Sequence, residues 1–199
     1  MNLLIDLLPT TVDIEGIEYE INSDFRTSIL FELLMLDVEF EDEEKIVQAL
    51  ELYYPTLPQN RELAIEKMLW FYRCGKDESK SSISGLSNNE QVYSFDYDDD
   101  YIYAAFMDQY KIDLQDIEYL HWWKFKAMFK ALKEDNEIVK IMSYRSMDLS
   151  KIEDKKEKEY YKKLKNLYKI PENISKSEKE KIDKINEILR NGGDISKVL

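Results

Sequence analysis

Five Gly and four Pro in 199 residues leave few places for sharp turns, and this scarcity limits the fold more than any other feature. A β-sandwich needs a turn signal every ten residues or so, and collagenous or Pro-rich chains need far more of both residues. Long segments therefore have to be helical, and most apolar residues fall at helical spacing. The exception comes early. Thr11-Val12-Asp13-Ile14 and Ile17-Glu18-Tyr19-Glu20-Ile21 alternate apolar and polar around Glu15-Gly16, which predicts a β-hairpin with a tight turn. Two strands are marginal alone, so one face is expected to rest on neighbouring helices.

The helices announce their ends. Asn22-Ser23-Asp24 supplies N-cap oxygens for a helix over about Phe25–Leu36. Acidic residues at 41–44 open a second, which Pro55 stops, and a third spans about Asn60–Cys74 with Gly75 as its cap. Residues 76–91, KDESKSSISGLSNNEQ, lack periodicity and read as a mobile loop. Beyond it, Asp96 is expected to cap a helix over Tyr97–Tyr110, with Asp98, Asp99 and Asp100 in its first turn. Asp113 is expected to cap the next, from Leu114 to about Lys133, which is apolar on most sides and so central to the core. A shorter helix covers Glu137–Ser146.

From Ser150 the composition turns Lys-rich. Tyr160, Leu164, Leu167 and Tyr168 form a narrow helical seam, and Pro171 separates it from a last helix over Ser177–Arg190, ended by Gly192-Gly193. The expectation is a mainly α, multi-helix protein with a small N-terminal hairpin. Residues 1–149 form its core domain and 150–199 a charged helical extension.

Charge bears on partners. The chain carries a net −13, but residues 1–100 hold 7 basic and 23 acidic side chains, whereas residues 101–199 hold 21 and 18. An acidic protein repels phosphate backbones, so nucleic acid is disfavoured and protein partners are favoured. Opposite signs on the two halves also permit head-to-tail self-association. No apolar run approaches a membrane span, and MNLLIDLLPT lacks a basic leader region, so a soluble intracellular protein is expected.

No catalytic constellation emerges, and no enzymatic activity, metal or cofactor is expected. Asp96-Tyr97-Asp98-Asp99-Asp100 begins like a calcium loop, but Tyr101 stands where Gly is required and Met107 where the bidentate Glu belongs. His121, the single histidine, has no Ser or Cys nearby in sequence and reads as a packing residue among aromatics. Cys74 has no second Cys for a disulfide and reads as a buried helix end. Trp122 and Trp123 precede Lys124, Lys126, Lys130 and Lys133, a basic edge that reads as the solvated side of a core helix.

The order of motifs resembles the bacteriophage Gp15 family. The resemblance lies in YSFDYDDDYIYAAFMDQY (Tyr93 to Tyr110), Ile112-Asp113-Leu114 and Leu120-His121-Trp122-Trp123-Lys124-Phe125. Ile141-Met142-Ser143-Tyr144-Arg145 and the hairpin leading into Ile21-Asn22-Ser23-Asp24-Phe25-Arg26 extend it over about residues 9–170. It implies a protein of the phage or prophage tail module, acting as a tail assembly chaperone in the bacterial host cytoplasm. Its implied partners are the tape measure protein, kept soluble while the tail tube assembles, and the major tail protein. The alternative is a structural adaptor retained in the particle. The helices bearing Tyr101, Tyr103 and Phe106 and bearing Trp122 and Trp123 are expected as scaffold, and the Lys-rich helix as docking element. The candidate interaction residues are Tyr160, Tyr161, Leu164, Leu167, Tyr168, Trp122 and Trp123.

Overall fold

The hairpin forms as its alternation requires. β1 (Thr11–Ile14) pairs antiparallel with β2 (Ile17–Glu20), Thr11 facing Glu20 and Ile14 facing Ile17. Glu15 and Gly16 both take positive φ, 56° and 82°, the geometry of the two-residue turn that matches strand twist. Val12 and Ile14 are buried, and β1 rests on the third helix. The computed structural model describes residues 2–76 and 91–171. The expected loop residues 77–90 and the last helix, Ser177–Arg190, lie outside the described residues.

Seven α-helices follow among the described residues, so the protein is mainly α. They are α1 (Phe25–Leu36), α2 (Asp42–Tyr53), α3 (Arg61–Tyr72), α4 (Asp99–Tyr110), α5 (Trp122–Lys130), α6 (Glu137–Ser146) and α7 (Lys155–Leu167). The Asp24 carboxylate accepts from the Arg26 N–H at the start of α1. Glu41 and Glu44 form a capping box on α2, and the Asn60 side-chain carbonyl accepts from the Leu63 N–H on α3. Gly75, φ 68°, lies against α5: a Cβ there would stand 2.9 Å from the Trp123 ring.

Two helix starts differ from expectation. α4 begins at Asp99, because Ser94 closes a turn before it: the Asp98 N–H donates to Ser94 O, and the Asp96 and Tyr97 N–H groups donate to Ser94 Oγ. Asp96 is therefore not the cap, and Asp98 points inward. α5 begins at Trp122, not Leu114. Asp113 does cap a turn, through the Gln115 N–H, but that turn does not continue. Residues 114–121 instead spend their backbone groups on the start of α1. The Phe25 N–H donates to Leu120 O and the Trp122 N–H to Ser23 O, while the Leu120 N–H donates to the Asp24 carboxylate. Arg26 Nη2 donates to Leu114 O and Ile117 O at 2.9 and 2.8 Å. Tertiary partners override the local helical pattern.

One apolar core joins both halves of the chain. Phe125 on α5 is its hub, with the rings of Phe25 and Phe106 each 4.9 Å away and Trp122, Phe95 and Phe129 around it. Tryptophan, rather than phenylalanine, suits positions 122 and 123 for a further reason. Their indole N–H groups donate to Tyr72 O and Phe71 O at 2.9 and 2.7 Å. These are carbonyls of the last turn of α3, which lack i+4 partners within the helix; Phe71 O also accepts from the Cys74 N–H.

Candidate interaction surface

Two polar inlays decide which surfaces stay fixed. The first sits on α1, α3 and α5. Glu32 is buried and accepts from the hydroxyls of Tyr72 and Tyr93, with Lys126 Nζ 3.7 Å from its carboxylate. Lys126 also lies over the Tyr72 and Trp122 rings, 4.8 and 4.7 Å from their centroids. Burial raises the Glu32 pKa against the pull of Lys126 and the two tyrosines, and burial lowers that of Lys126. Of the basic edge expected after the two tryptophans, Lys126 thus faces inward, while Lys124 and Lys130 on α5 and Lys133 beyond it are exposed.

The second inlay holds α7 in place. Arg145 on α6 makes a two-pronged pair with buried Asp98, Nη1 to Oδ2 at 2.6 Å and Nη2 to Oδ1 at 2.9 Å. Asp98 also accepts from the Ser94 N–H, and Arg145 Nη1 donates to Val92 O. Arg145 Nε donates to Tyr168 O at 2.6 Å, at the C-terminal end of α7, where a cation also complements the helix dipole. Tyr144 then stacks on Tyr168 and approaches Tyr161.

These contacts divide the expected interaction residues. Trp122 and Trp123 are interior, 0% and 3% exposed. Tyr161, Leu164 and Tyr168 are half-buried on α7, the side of Tyr161 and Tyr168 turned to α6. Tyr160 and Leu167 are exposed, at 58% and 72%. Spacings of three and four residues place them in one strip with Lys156 and Lys163.

A more exposed apolar group lies elsewhere. Residues 2–6 form a single turn, in which the Asp6 N–H donates to Asn2 O and the Asp6 carboxylate accepts from the Asn2 N–H. Leu4, Ile5 and Leu7 project from it at 90%, 80% and 93% exposure. None of the three is among the residues that the sequence marks for interaction. A signal is present all the same: five apolar residues occupy positions 3–8, broken only by Asp6 and matching neither strand nor long-helix spacing.

His121 is a buried N-cap. Its Nδ1 accepts from the Trp123 N–H, so the neutral ring carries its proton on Nε2, which donates to Pro9 O at 3.0 Å. Burial lowers its pKa from the ordinary 6.5, against the Pro9 hydrogen bond. Protonation would place a second N–H against the Trp123 donor. The unfolded chain therefore binds the proton more readily, and stability present above about pH 6.5 is lost as pH falls further. Glu32 acts in the opposite direction, its raised pKa favouring the fold as pH falls. A His121→Asn variant keeps a capping oxygen and removes the titration. Between about pH 7.5 and 5.5, wild type is expected to lose more melting temperature than this variant; equal losses would exclude the mechanism.

Among the described residues, no group of three or more His, Cys, Asp or Glu side chains is placed to hold a metal ion. Among the same residues, no helix is long and apolar enough to cross a membrane. The bacteriophage Gp15 protein family profile matches residues 4–170, a span from the exposed turn through α7. The chain belongs to the bacteriophage Gp15 family. Comparison with curated proteins and with solved structures returned no match. In this Gp15-family protein, many of the residues that carried the resemblance build the interior, whereas others, such as Tyr97 and Lys124, are exposed. Phe106, Leu120, His121, Trp122, Trp123, Phe125, Ile141 and Arg145 are all buried.

Proposed function

We propose that this Gp15-family protein is a non-catalytic tail assembly chaperone that binds the tape measure protein in the host cytoplasm and keeps it soluble during tail-tube assembly. The family match over residues 4–170 carries the reading. The surface is compatible with it. A chaperone of a long amphipathic helix needs apolar side chains in solvent and a charged exterior, not a reaction centre. Leu4, Ile5 and Leu7 provide the first, as the tape measure contact. The Lys-rich α7 is the second docking element, with Tyr160 and Leu167 as its contact residues. The major tail protein is a further partner in this reading, taking over the tape measure as the chaperone is displaced.

Co-expression with the tape measure protein, followed by pull-down and light scattering, tests it. The expected result is a soluble complex with several copies per tape measure, where the tape measure alone is insoluble. Replacing Leu4, Ile5 and Leu7 by Ser is expected to weaken the complex at least about tenfold, or ~1.4 kcal/mol. No complex, with the protein retained in finished particles, would establish a structural adaptor instead.

A further inference from the structure

The connection from α1 to α2 is the most acidic stretch among the described residues. Asp37 to Glu44, DVEFEDEE, holds six carboxylates and no basic side chain. It also exposes apolar side chains. Val38 and Phe40 in the connection, and Ile46 and Val47 on α2, are exposed large hydrophobics. Glu43, Ile46 and Val47 stand at i, i+3 and i+4, so one face of α2 presents carboxylate and hydrocarbon together. Part of the acidity is used locally, in the capping box of Glu41 and Glu44 and in the Asp37 bond to the Glu39 N–H. Asp42 and Glu43 are exposed. This face is an acidic ledge with an apolar centre.

The outer strip of α7 is its counterpart. Lys156, Tyr160, Lys163 and Leu167 recur at i, i+4, i+7 and i+11, and α7 as a whole holds six Lys against two Glu. Each surface carries what the other lacks in charge, and both offer exposed apolar side chains. They sit on different parts of the molecule, α2 packing on α1 and α3, and α7 on α6 and the short turn Leu149–Lys151. A chain with its α7 pinned by Arg145 does not fold this strip back onto its own ledge.

We propose that the acidic ledge of one copy receives the Lys156/Tyr160/Lys163/Leu167 strip of a second copy. The contact is heterologous, so each copy leaves one ledge and one strip free for the next, and a ring or an open array results. Charge complementarity selects a second copy. A nucleic acid would meet a strip interrupted by Tyr and Leu on a protein of net −13. The inference rests on reading α7 as a docking element and leaves Leu4, Ile5 and Leu7 free for the tape measure.

Sedimentation velocity and light scattering on the full chain test it. Association is expected at about 50 mM salt and should weaken at least tenfold near 1 M, where screening shortens to about 3 Å. A strip variant, Lys156→Glu with Lys163→Glu, and a ledge variant, Asp42→Lys with Glu43→Lys, are each expected to associate at least tenfold more weakly alone, ~1.4 kcal/mol. Mixed in equal amounts they should associate again, because the reversed strip of one now meets the reversed ledge of the other. Melting temperatures confirm that both fold; should the ledge variant fail to, Ile46→Ser with Val47→Ser replaces it, with weakened association as the expected result. A wild type monomeric at low salt, association indifferent to both variants, or no recovery on mixing of folded variants would overturn the proposal. A wild type that binds the tape measure but does not self-associate would sink this inference alone; a wild type that self-associates but binds no tape measure would sink the chaperone reading alone.

Discussion

Asp98→Ala is expected to destabilise the protein by about 3–5 kcal/mol, the usual cost of removing one partner from a buried ion pair. The pair is nearly dry, with side-chain exposures of 7% for Arg145 and 2% for Asp98. The substitution leaves a guanidinium facing only the Val92 and Tyr168 carbonyls and orphans the Ser94 N–H. In a protein of this size the loss corresponds to a melting-temperature drop of about 10 °C, read by thermal denaturation. Arg145→Met in the same background is expected to recover part of it, because an apolar side chain carries no buried charge. A cost below about 1 kcal/mol would mean that water reaches the pair.

Phe125→Ala is expected to cost a similar ~3–5 kcal/mol for a different reason: it opens a cavity in a core that cannot collapse to fill it. Five rings surround this side chain, from Phe25, Phe95, Phe106, Trp122 and Phe129. They come from α1, α4, α5 and the segment before α4, so the void would be shared by elements that cannot all move inward. Phe125→Leu retains most of the volume and loses only the ring geometry, for which about 1–2 kcal/mol is expected. Denaturant unfolding followed by the fluorescence of nearby Trp122 measures both. Equal costs for Ala and Leu would mean that ring orientation, not volume, holds the core.

The parts of the fold that follow local rules are legible in the amino-acid order. α1, α2 and α3 begin where capping side chains precede an apolar period, and the hairpin turns where Glu15-Gly16 permits positive φ. The parts that are not legible depend on partners distant in sequence. Leu114 to His121 has the composition of a helix, yet its backbone is claimed by Ser23, Asp24, Phe25 and Arg26, some 90 residues earlier. Asp98 sits in a run of carboxylates that suits a helix N-terminus, and nothing near it in sequence announces Arg145, 47 residues away. The surface is the least legible. The seam of Tyr160, Tyr161, Leu164, Leu167 and Tyr168 reads as one apolar stripe, and the positions of Tyr144 and Arg145 on α6 separate its docked members from its exposed ones.

The bonds between Ser23–Arg26 and residues 114–121 bear on how the chain is made. During translation the start of α1 leaves the ribosome long before its partners exist, so Asp24 and Arg26 wait for some ninety further residues. Until then Phe71 and Tyr72 also lack the tryptophans that cover them. Contacts this remote in sequence slow folding, because the intervening chain must be ordered before they form. The nascent polypeptide is therefore expected to complete its core late, after Trp122 and Phe125 have emerged.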